Sequence, residues 1–159
     1  LREILQKKEK EMAEDDYIKE DDKRDKWVRS LCEDNREVDE RDYSIVNQTS
    51  LTLLEMSDKE IQTILRHITN DDLVMAMIEL PGRVRARIFD NTSTRLARML
   101  AEDVMCKGKV TLSEVEKSCI NIMRTVIKLE AECKIEHHNL TVQKFVIGVY
   151  DVPNSVLRR

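Results

Sequence analysis

Four charged residues fall at helical spacing in the middle of the chain. Arg95, Arg98, Glu102 and Asp103 follow one another at intervals that place them on one side of a helix with 3.6 residues per turn. A mixed-charge strip of this kind can steer another protein into contact and set its register while adding little affinity. The alternative is a solvated helix face whose i,i+4 ion pairs contribute about 0.3–0.5 kcal/mol each. The spacing alone leaves both interpretations open.

The residues that catalysis or metal binding would need do not form a motif. Serine, histidine and aspartate are present, but no Gly-rich loop or strained nucleophile turn frames them. His137 and His138 follow Glu136, yet adjacent residues rarely chelate one ion and no third ligand is suitably spaced. His67 follows Arg66 near the end of a predicted helix, where an imidazolium would suit the helix dipole. We therefore expect no enzyme activity, no metal site and no cofactor.

The composition favours an all-helical protein. Charged residues make up 36% of the 159 residues and aromatic residues 4%, with three glycines and two prolines. A sandwich, a barrel or a doubly wound sheet needs more turn-forming residues than this. No apolar run approaches the roughly 18 residues that would span a membrane, so we expect no direct membrane span. Because the first residue is Leu1 rather than methionine, we expect the chain to be a piece of a longer protein.

The distribution of charge and the spacing of the cysteines indicate which partners and which cellular compartment to expect. Residues 1–44 contain 16 acidic and 11 basic residues, whereas the remaining 115 contain 15 acidic and 16 basic. Neither part has the basic face that nucleic-acid binding requires, so we expect no nucleic-acid partner. The cysteines have no C-x-x-C spacing, which is typical of reduced cytosolic thiols rather than of a disulfide frame. They are Cys32, Cys106, Cys119 and Cys133.

Helix-start signals recur from Ser57 onward. Ser57 with Glu60 has the pattern of a capping box, and Thr69 precedes a second apolar-periodic segment. Pro81 and Gly82 end that segment, and a third helix is predicted from about residue 83 to 89.

Two longer helices follow. Residues 91–93 can cap the first, which is predicted to end at Gly108 in a left-handed conformation. A second capping box, Ser113 with Glu116, is predicted to open the longest helix, which runs to about Glu132. The period-3.6 pattern predicts the buried set as Ile61, Leu65, Leu73, Met77, Ile88, Leu96, Leu100, Val115, Ile122 and Val126.

The two ends of the chain differ from this central part. Residues 1–44 are predicted to form one or two highly charged helices that dock by a thin apolar seam, either on the globular part or on another chain. A solvated helical extension is the alternative. The tail, residues 138–159, is rich in β-branched residues and is predicted to be an extended arm or a short helix. The predicted domain is therefore 45–137, flanked by the extension 1–44 and the tail 138–159.

The order of the central helices is similar to that of a known family. The likeness is carried by LLEMSDKEIQ at 53–62, LRHITNDDL at 65–73, NTSTR at 91–95, MLAED at 99–103 and GKVTLSEVE at 108–116. These segments resemble the C-terminal domain family of the flagellar motor switch protein FliG, over roughly residues 50–137. The resemblance implies an all-α, armadillo-like, right-handed stack of short helices.

The resemblance also implies a function. In that family the domain is structural: copies form a ring on the rotor, contact the switch protein FliM and take torque from membrane stators through a charged helix. Arg95 and Asp103 match ridge charges of the family, and Glu102 replaces an aspartate. Ile78 stands where the family has a lysine and Thr111 where it has an arginine. Residues 47–50 replace the aromatic hinge.

Two functions therefore compete. The first is a non-enzymatic part of the flagellar rotor and switch complex, at the basal body on the cytoplasmic face of the membrane. Its stator contact would be Arg95, Arg98, Glu102 and Asp103, and its partners would be switch and stator proteins, with self-association in a ring or through the terminal segments. The alternative is an armadillo-like adaptor or regulatory domain that binds another protein without a torque role.

Overall fold

The chain folds into α-helices joined by short loops. The computed structural model describes residues 26–34, 36–39 and 41–136. Within these residues there is no strand, which confirms the predicted all-α class. Helix α1 covers residues 26–32. The others are α2 (Ile45–Glu55), α3 (Asp58–His67), α4 (Asn70–Glu79), α5 (Gly82–Asp90), α6 (Thr94–Cys106) and α7 (Leu112–Ala131).

Helix α7 lies at the centre of the packing. It contacts α2, α3 and α4, while α4 also contacts α6 and α2 also contacts α5. One continuous apolar core fills the space between these helices. Burial of such side chains stabilises the fold by about 1.5–3 kcal/mol each relative to exposure. The armadillo-like, right-handed arrangement of the helices stays a prediction.

The predicted core is confirmed at eight of its ten positions, and the other two lie at its edge. Leu65 and Leu96 are half-buried and pack against the core from its border. Five helices occupy the stretch from Ser57 to Ala131, as the apolar periodicity predicts. The predicted tail and both residues His137 and His138 lie outside the described residues.

Side-chain caps begin most of the helices. The Ser57 hydroxyl accepts a hydrogen bond from the Glu60 backbone N–H, and the Glu60 carboxylate accepts one from the Ser57 backbone N–H. Both bonds of the predicted capping box are therefore present. Thr69 caps α4 and Ser93 caps α6, both as predicted. These caps satisfy N–H groups that would otherwise have no partner within the helix.

The prediction for the start of α7 is wrong by two residues. The helix begins at Leu112, and its capping box joins Thr111 to Glu114, so Ser113 lies inside the first turn. The predicted left-handed conformation of Gly108 is also wrong, because no glycine among the described residues has a positive φ. The chain leaves α6 in an extended conformation at Lys107, which removes the need for a left-handed residue.

Helix α2 has no counterpart in the sequence-based prediction. Its buried side includes polar residues, because Gln48, Thr49, Ser50 and Thr52 lie in the interior. The Thr49, Ser50 and Thr52 hydroxyls donate to the carbonyl oxygens four residues earlier, at 2.7–2.8 Å. These bonds satisfy the hydroxyls within the helix, so burial leaves no unpaired donor. Residues 47–50, the stretch compared with a hinge, therefore lie inside a continuous helix.

Helix α1 packs on the globular part of its own chain. Trp27, Val28 and Leu31 are half-buried against the core, as the docking alternative predicts. Of the residues that follow, 33–34, 36–39 and 41–44 are described, and none of these is helical. The described part of the N-terminal segment is therefore held by apolar contacts with the core.

Candidate functional site

Helix α6 presents one apolar side and one polar side. Ala97, Leu100, Ala101 and Val104 are buried, and the helix packs on α4. The Ser93 hydroxyl accepts a hydrogen bond from the Leu96 N–H at 3.1 Å and so anchors the start of the helix. The buried side fixes the rotation of α6 about its axis, and this rotation determines which residues face solvent.

The four predicted site residues lie on the solvent-facing side of α6. Arg95, Arg98 and Asp103 are exposed and Glu102 is half-buried. Arg98 and Glu102 form an ion pair, with Arg98 Nε 3.2 Å from Glu102 Oε1, and their side chains are 45% and 41% exposed. The structure therefore brings all four side chains to one surface. We call these four residues, together with Met99, the outer face of α6.

Met99 belongs to this surface but was not predicted as part of it. Its side chain is 48% exposed although methionine is usually buried. Methionine adapts its shape to different contacts because it is unbranched and polarizable. The helical spacing that identified the charges also places Met99 among them.

The charges on the outer face run against the helix dipole. Arg95 lies in the first turn of α6 and Asp103 in the last, and there is no acidic residue in the first turn or basic residue in the last. A helix is stabilised by the opposite arrangement, and an Arg-to-Glu pair at i,i+4 is the less favourable order. These charges are therefore placed poorly for the stability of α6, which favours a role in contact with another molecule.

Two positions compared with ridge charges serve the fold instead. Ile78 is half-buried in α4 and packs against the core. The Thr111 hydroxyl accepts a hydrogen bond from the Glu114 N–H and caps α7. Neither position therefore adds a charge to the outer face of α6.

A second polar cluster, not predicted from sequence, lies at the corner between α4 and α5. Arg85 is 8% exposed, and its guanidinium donates to the carbonyl oxygens of Met77 (2.6 Å), Ile78 (2.7 Å) and Leu31 (3.0 Å). Burial lowers the pKa of Arg85, and the nearby charge of Arg36 lowers it further. Arg85 thus joins the end of α4 to α1, a contact between residues 54 positions apart.

The end of α1 and the residues that follow it complete this corner, and we call residues 31–34 together with Arg36 the strap. Arg36 donates to the carbonyl oxygen of Glu79 at 3.0 Å and forms an ion pair with Asp34 at 2.7 Å. The Gly82 N–H donates to the Asp34 carbonyl oxygen at 3.1 Å. Burial raises the pKa of the Asp34 carboxyl, but hydrogen bonds from Arg36 and its charge outweigh this and leave the pKa below its ordinary value. The strap therefore supplies partners for the last turn of α4 and the first of α5.

The histidine, cysteine and acidic side chains of the described residues do not form a metal site. Among these residues no group of three His, Cys, Asp or Glu side chains could hold a metal ion. The cysteines are free thiols, and burial raises the pKa of Cys119 to about 12. His67 is exposed at the end of α3, with its Nδ1 2.8 Å from the Thr63 carbonyl oxygen. No helix of residues 26–136, as far as these are described, is long and apolar enough to cross a membrane.

Comparison with known proteins identifies the domain. A family model described as the FliG C-terminal domain matches residues 49–136, more than half of the chain. The flagellar motor switch protein FliG of Pseudomonas aeruginosa is 33% identical over 105 residues, which cover 64% of this chain and 31% of that protein. FliG of Aquifex aeolicus is 31% identical over 81 residues, covering 51% and 25%, respectively. FliG of Borreliella burgdorferi is 35% identical over 80 residues, covering 50% and 23%.

The chain spans about a quarter to a third of the length of these curated relatives. No solved structure matches it significantly. The matched region includes α3 to α7 and most of α2, and it leaves out α1 and the strap.

Proposed function

Because this chain belongs to the FliG C-terminal domain family, we propose that it acts as a non-enzymatic component of the bacterial flagellar switch complex and contacts the stator through the outer face of α6. The observation that carries the proposal is the exposure of Arg95, Arg98, Glu102 and Asp103 together on one helix. The family supplies the flagellar setting, and the geometry of α6 supplies the surface.

The proposed contact is electrostatic and reversible. Exposed charge pairs contribute about 0–1 kcal/mol each, so a stator segment with complementary charges would engage and release without deep burial. Such charges also steer the encounter and set its register. The poor match between these charges and the dipole of α6 supports this role, since their arrangement is not explained by the stability of the helix.

The charged surface is smaller than the family pattern implies. Ile78 contributes to the core and Thr111 to a helix cap, so neither position carries a charge toward a stator. We therefore propose an altered or weaker stator contact that depends on α6 alone. The same feature favours the alternative function, an adaptor or regulatory domain that binds another protein without a torque role.

The proposal extends to the site of action and to the partners. We place the protein at the flagellar basal body, on the cytoplasmic face of the membrane, with switch and stator proteins as its partners. Self-association, in a ring or through terminal segments, is part of the same proposal. The contacts of Trp27, Val28 and Leu31 are made with the core of the same chain, so any association through the N-terminal segment would use the surface that these half-buried residues leave exposed.

Charge reversal on α6 tests the stator contact. We expect R95E/E102K/D103K to leave the fold intact, because exposed substitutions usually change stability by less than about 0.5 kcal/mol. Swimming speed or rotational bias of the parent organism should nevertheless change. The control is K117E/R124E, which alters two exposed charges on α7 and should leave motility unchanged.

Normal motility at normal protein levels would refute the stator contact and favour the adaptor function. Affinity purification from the native cell would then separate the two functions, because only the first requires recovery of basal-body proteins. Loss of motility in the α7 control as well would show that the effect is not specific to the outer face of α6.

A further inference from the structure

The charges on the outer face of α6 are arranged symmetrically about Met99. Arg95 lies four residues before Met99 and Asp103 four residues after it, with the basic residues in the first half of the helix and the acidic residues in the second. The centre of the surface is thus an exposed methionine, and its two ends carry opposite charge.

This arrangement is complementary to itself. Two α6 helices laid antiparallel, with their Met99 side chains in contact, would place each Arg95 opposite the partner subunit's Asp103. A two-fold axis through the Met99 pair makes both ends of the contact identical, as in isologous dimers. We propose that the outer face of α6 is a binding surface for a second copy of this chain, paired antiparallel about Met99.

Antiparallel pairing also resolves the conflict between the charges and the helix dipole. In a single copy Arg95 lies at the positive end of α6 and Asp103 near the negative end, where each is disfavoured. In the pair, Arg95 lies beside the negative end of the partner's α6, and Asp103 beside the positive end. Charges that destabilise one helix therefore stabilise the pair, and a parallel arrangement would not do this.

The pairing is weak and reversible. A single helix-to-helix contact buries less than a standard stable interface, so association depends on protein concentration. The Arg98–Glu102 ion pair already present in one copy can open and exchange partners, since both side chains remain nearly half exposed. While two copies are paired, the outer face of α6 is covered and unavailable to any other protein. The pairing does not depend on the proposed stator contact, because it follows from the spacing of Arg95, Met99 and Asp103 along α6.

Charge variants of the 159-residue chain test the two-fold geometry. We expect R95E and D103R each to weaken self-association by at least about tenfold, because each creates two like-charge contacts in the pair. An equimolar mixture should associate again, since the mixed pair restores one opposite-charge contact of reversed polarity and keeps one native contact. Sedimentation velocity at increasing concentration and low salt measures this. If the mixture stays as monomeric as the single variants, or if the unaltered chain is monomeric at millimolar concentration, the pairing is overturned.

Disulfide trapping gives an independent test that does not rely on charge. In a C106S/C133S background, M99C should form an intermolecular disulfide readily, because the two-fold axis brings this position against itself. M105C is the control: this side chain is 51% exposed on the same helix, but it lies on the flank of α6 away from the axis. Equal cross-linking of the two variants, or none at position 99, would overturn the proposal.

Discussion

Gly82 lies where the strap crosses the start of α5. A Cβ atom at this position would lie 2.5 Å from the backbone oxygens of both Cys32 and Asp34, which is closer than any real Cβ contact. We expect G82A to lower the free energy of unfolding by about 1–3 kcal/mol, as overpacking usually does. Urea denaturation measures the loss. G108A is the matched control: nothing lies within 4 Å of its Cβ and its φ is not positive, so it should be neutral or slightly stabilising.

The Asp34–Arg36 ion pair predicts a defined pH dependence. The pKa of Asp34 in the folded state lies below its ordinary value of 3.8, so the carboxylate stabilises the fold at neutral pH. This contribution is fully present above that value and is lost as the pH falls through the lowered pKa. We expect D34N to be less stable than the unaltered chain at pH 7, and the difference to shrink below about pH 4. Thermal unfolding from pH 7 to pH 2 tests this, and a difference that does not vary with pH would contradict it.

The residues of the corner show which side chains the sequence could assign and which it could not. The exposed charges of α6 follow from spacing alone, because their positions on the helix decide their exposure. Arg85 is a charged residue within α5, where helical spacing gives no sign of burial. Its guanidinium is nevertheless buried because carbonyl oxygens of α1 and α4 converge on it. One of these oxygens, that of Leu31, lies 54 positions away in sequence, so no local pattern near Arg85 could indicate the complete set of partners.

At the scale of the element, the cap of α7 yields a prediction. Thr111 satisfies the Glu114 N–H, whereas Ser113 lies exposed within the first turn. We expect T111A to cost about 1 kcal/mol and S113A to change stability by less than about 0.5 kcal/mol. Urea denaturation of the two variants, compared by their unfolding midpoints, tests this prediction. The reverse order would place the start of the helix at Ser113 after all.

Helix boundaries were harder to predict than helix identity, for a physical reason. Thr111 with Glu114 and Ser113 with Glu116 both fit the capping pattern, and both leave Val115, Cys119 and Ile122 on the buried side. Packing therefore does not distinguish the two starts. Helix α2 was not predicted because its buried side includes Gln48, Thr49 and Ser50, which interrupt the apolar periodicity on which such predictions depend.

For the whole molecule, the strap sets the extent of the folding unit. The family match begins at residue 49, but Arg85 and Gly82 take partners from Leu31 and Asp34. We expect a chain that begins at residue 45 to be less stable than one that begins at residue 26 by about 3 kcal/mol or more. The shorter chain loses the half-buried side chains of α1 and leaves hydrogen-bonding groups of the corner unpaired. Calorimetry of the two chains measures the difference, and equal melting temperatures would show that the strap is dispensable.

The fold of the central part was largely predictable, whereas the surface was predictable only in outline. Apolar periodicity defines α3 to α6 because these helices bury a regular stripe, and side-chain caps mark the starts of α3, α4 and α6. The charges of α6 follow from spacing, which also places Met99 among them, but the partial burial of Ile78 depends on how α4 packs against its neighbours. Such three-dimensional information is not contained in the spacing of residues along one helix.

The strap also has a kinetic consequence. The strap meets Glu79 and Arg85 across 43 and 54 positions through hydrogen bonds at a partly exposed corner, whereas α7 meets α2 and α4 through fully buried apolar side chains. Because the strap buries less apolar surface than α7 to offset the entropy of closing a long loop, we expect docking of the strap to be a late step in folding. The same step in reverse would then be an early opening of the native state, seen as faster amide hydrogen exchange at Gly82 than at the centre of α7. The domain would thus loosen first at the corner where the upstream chain enters it.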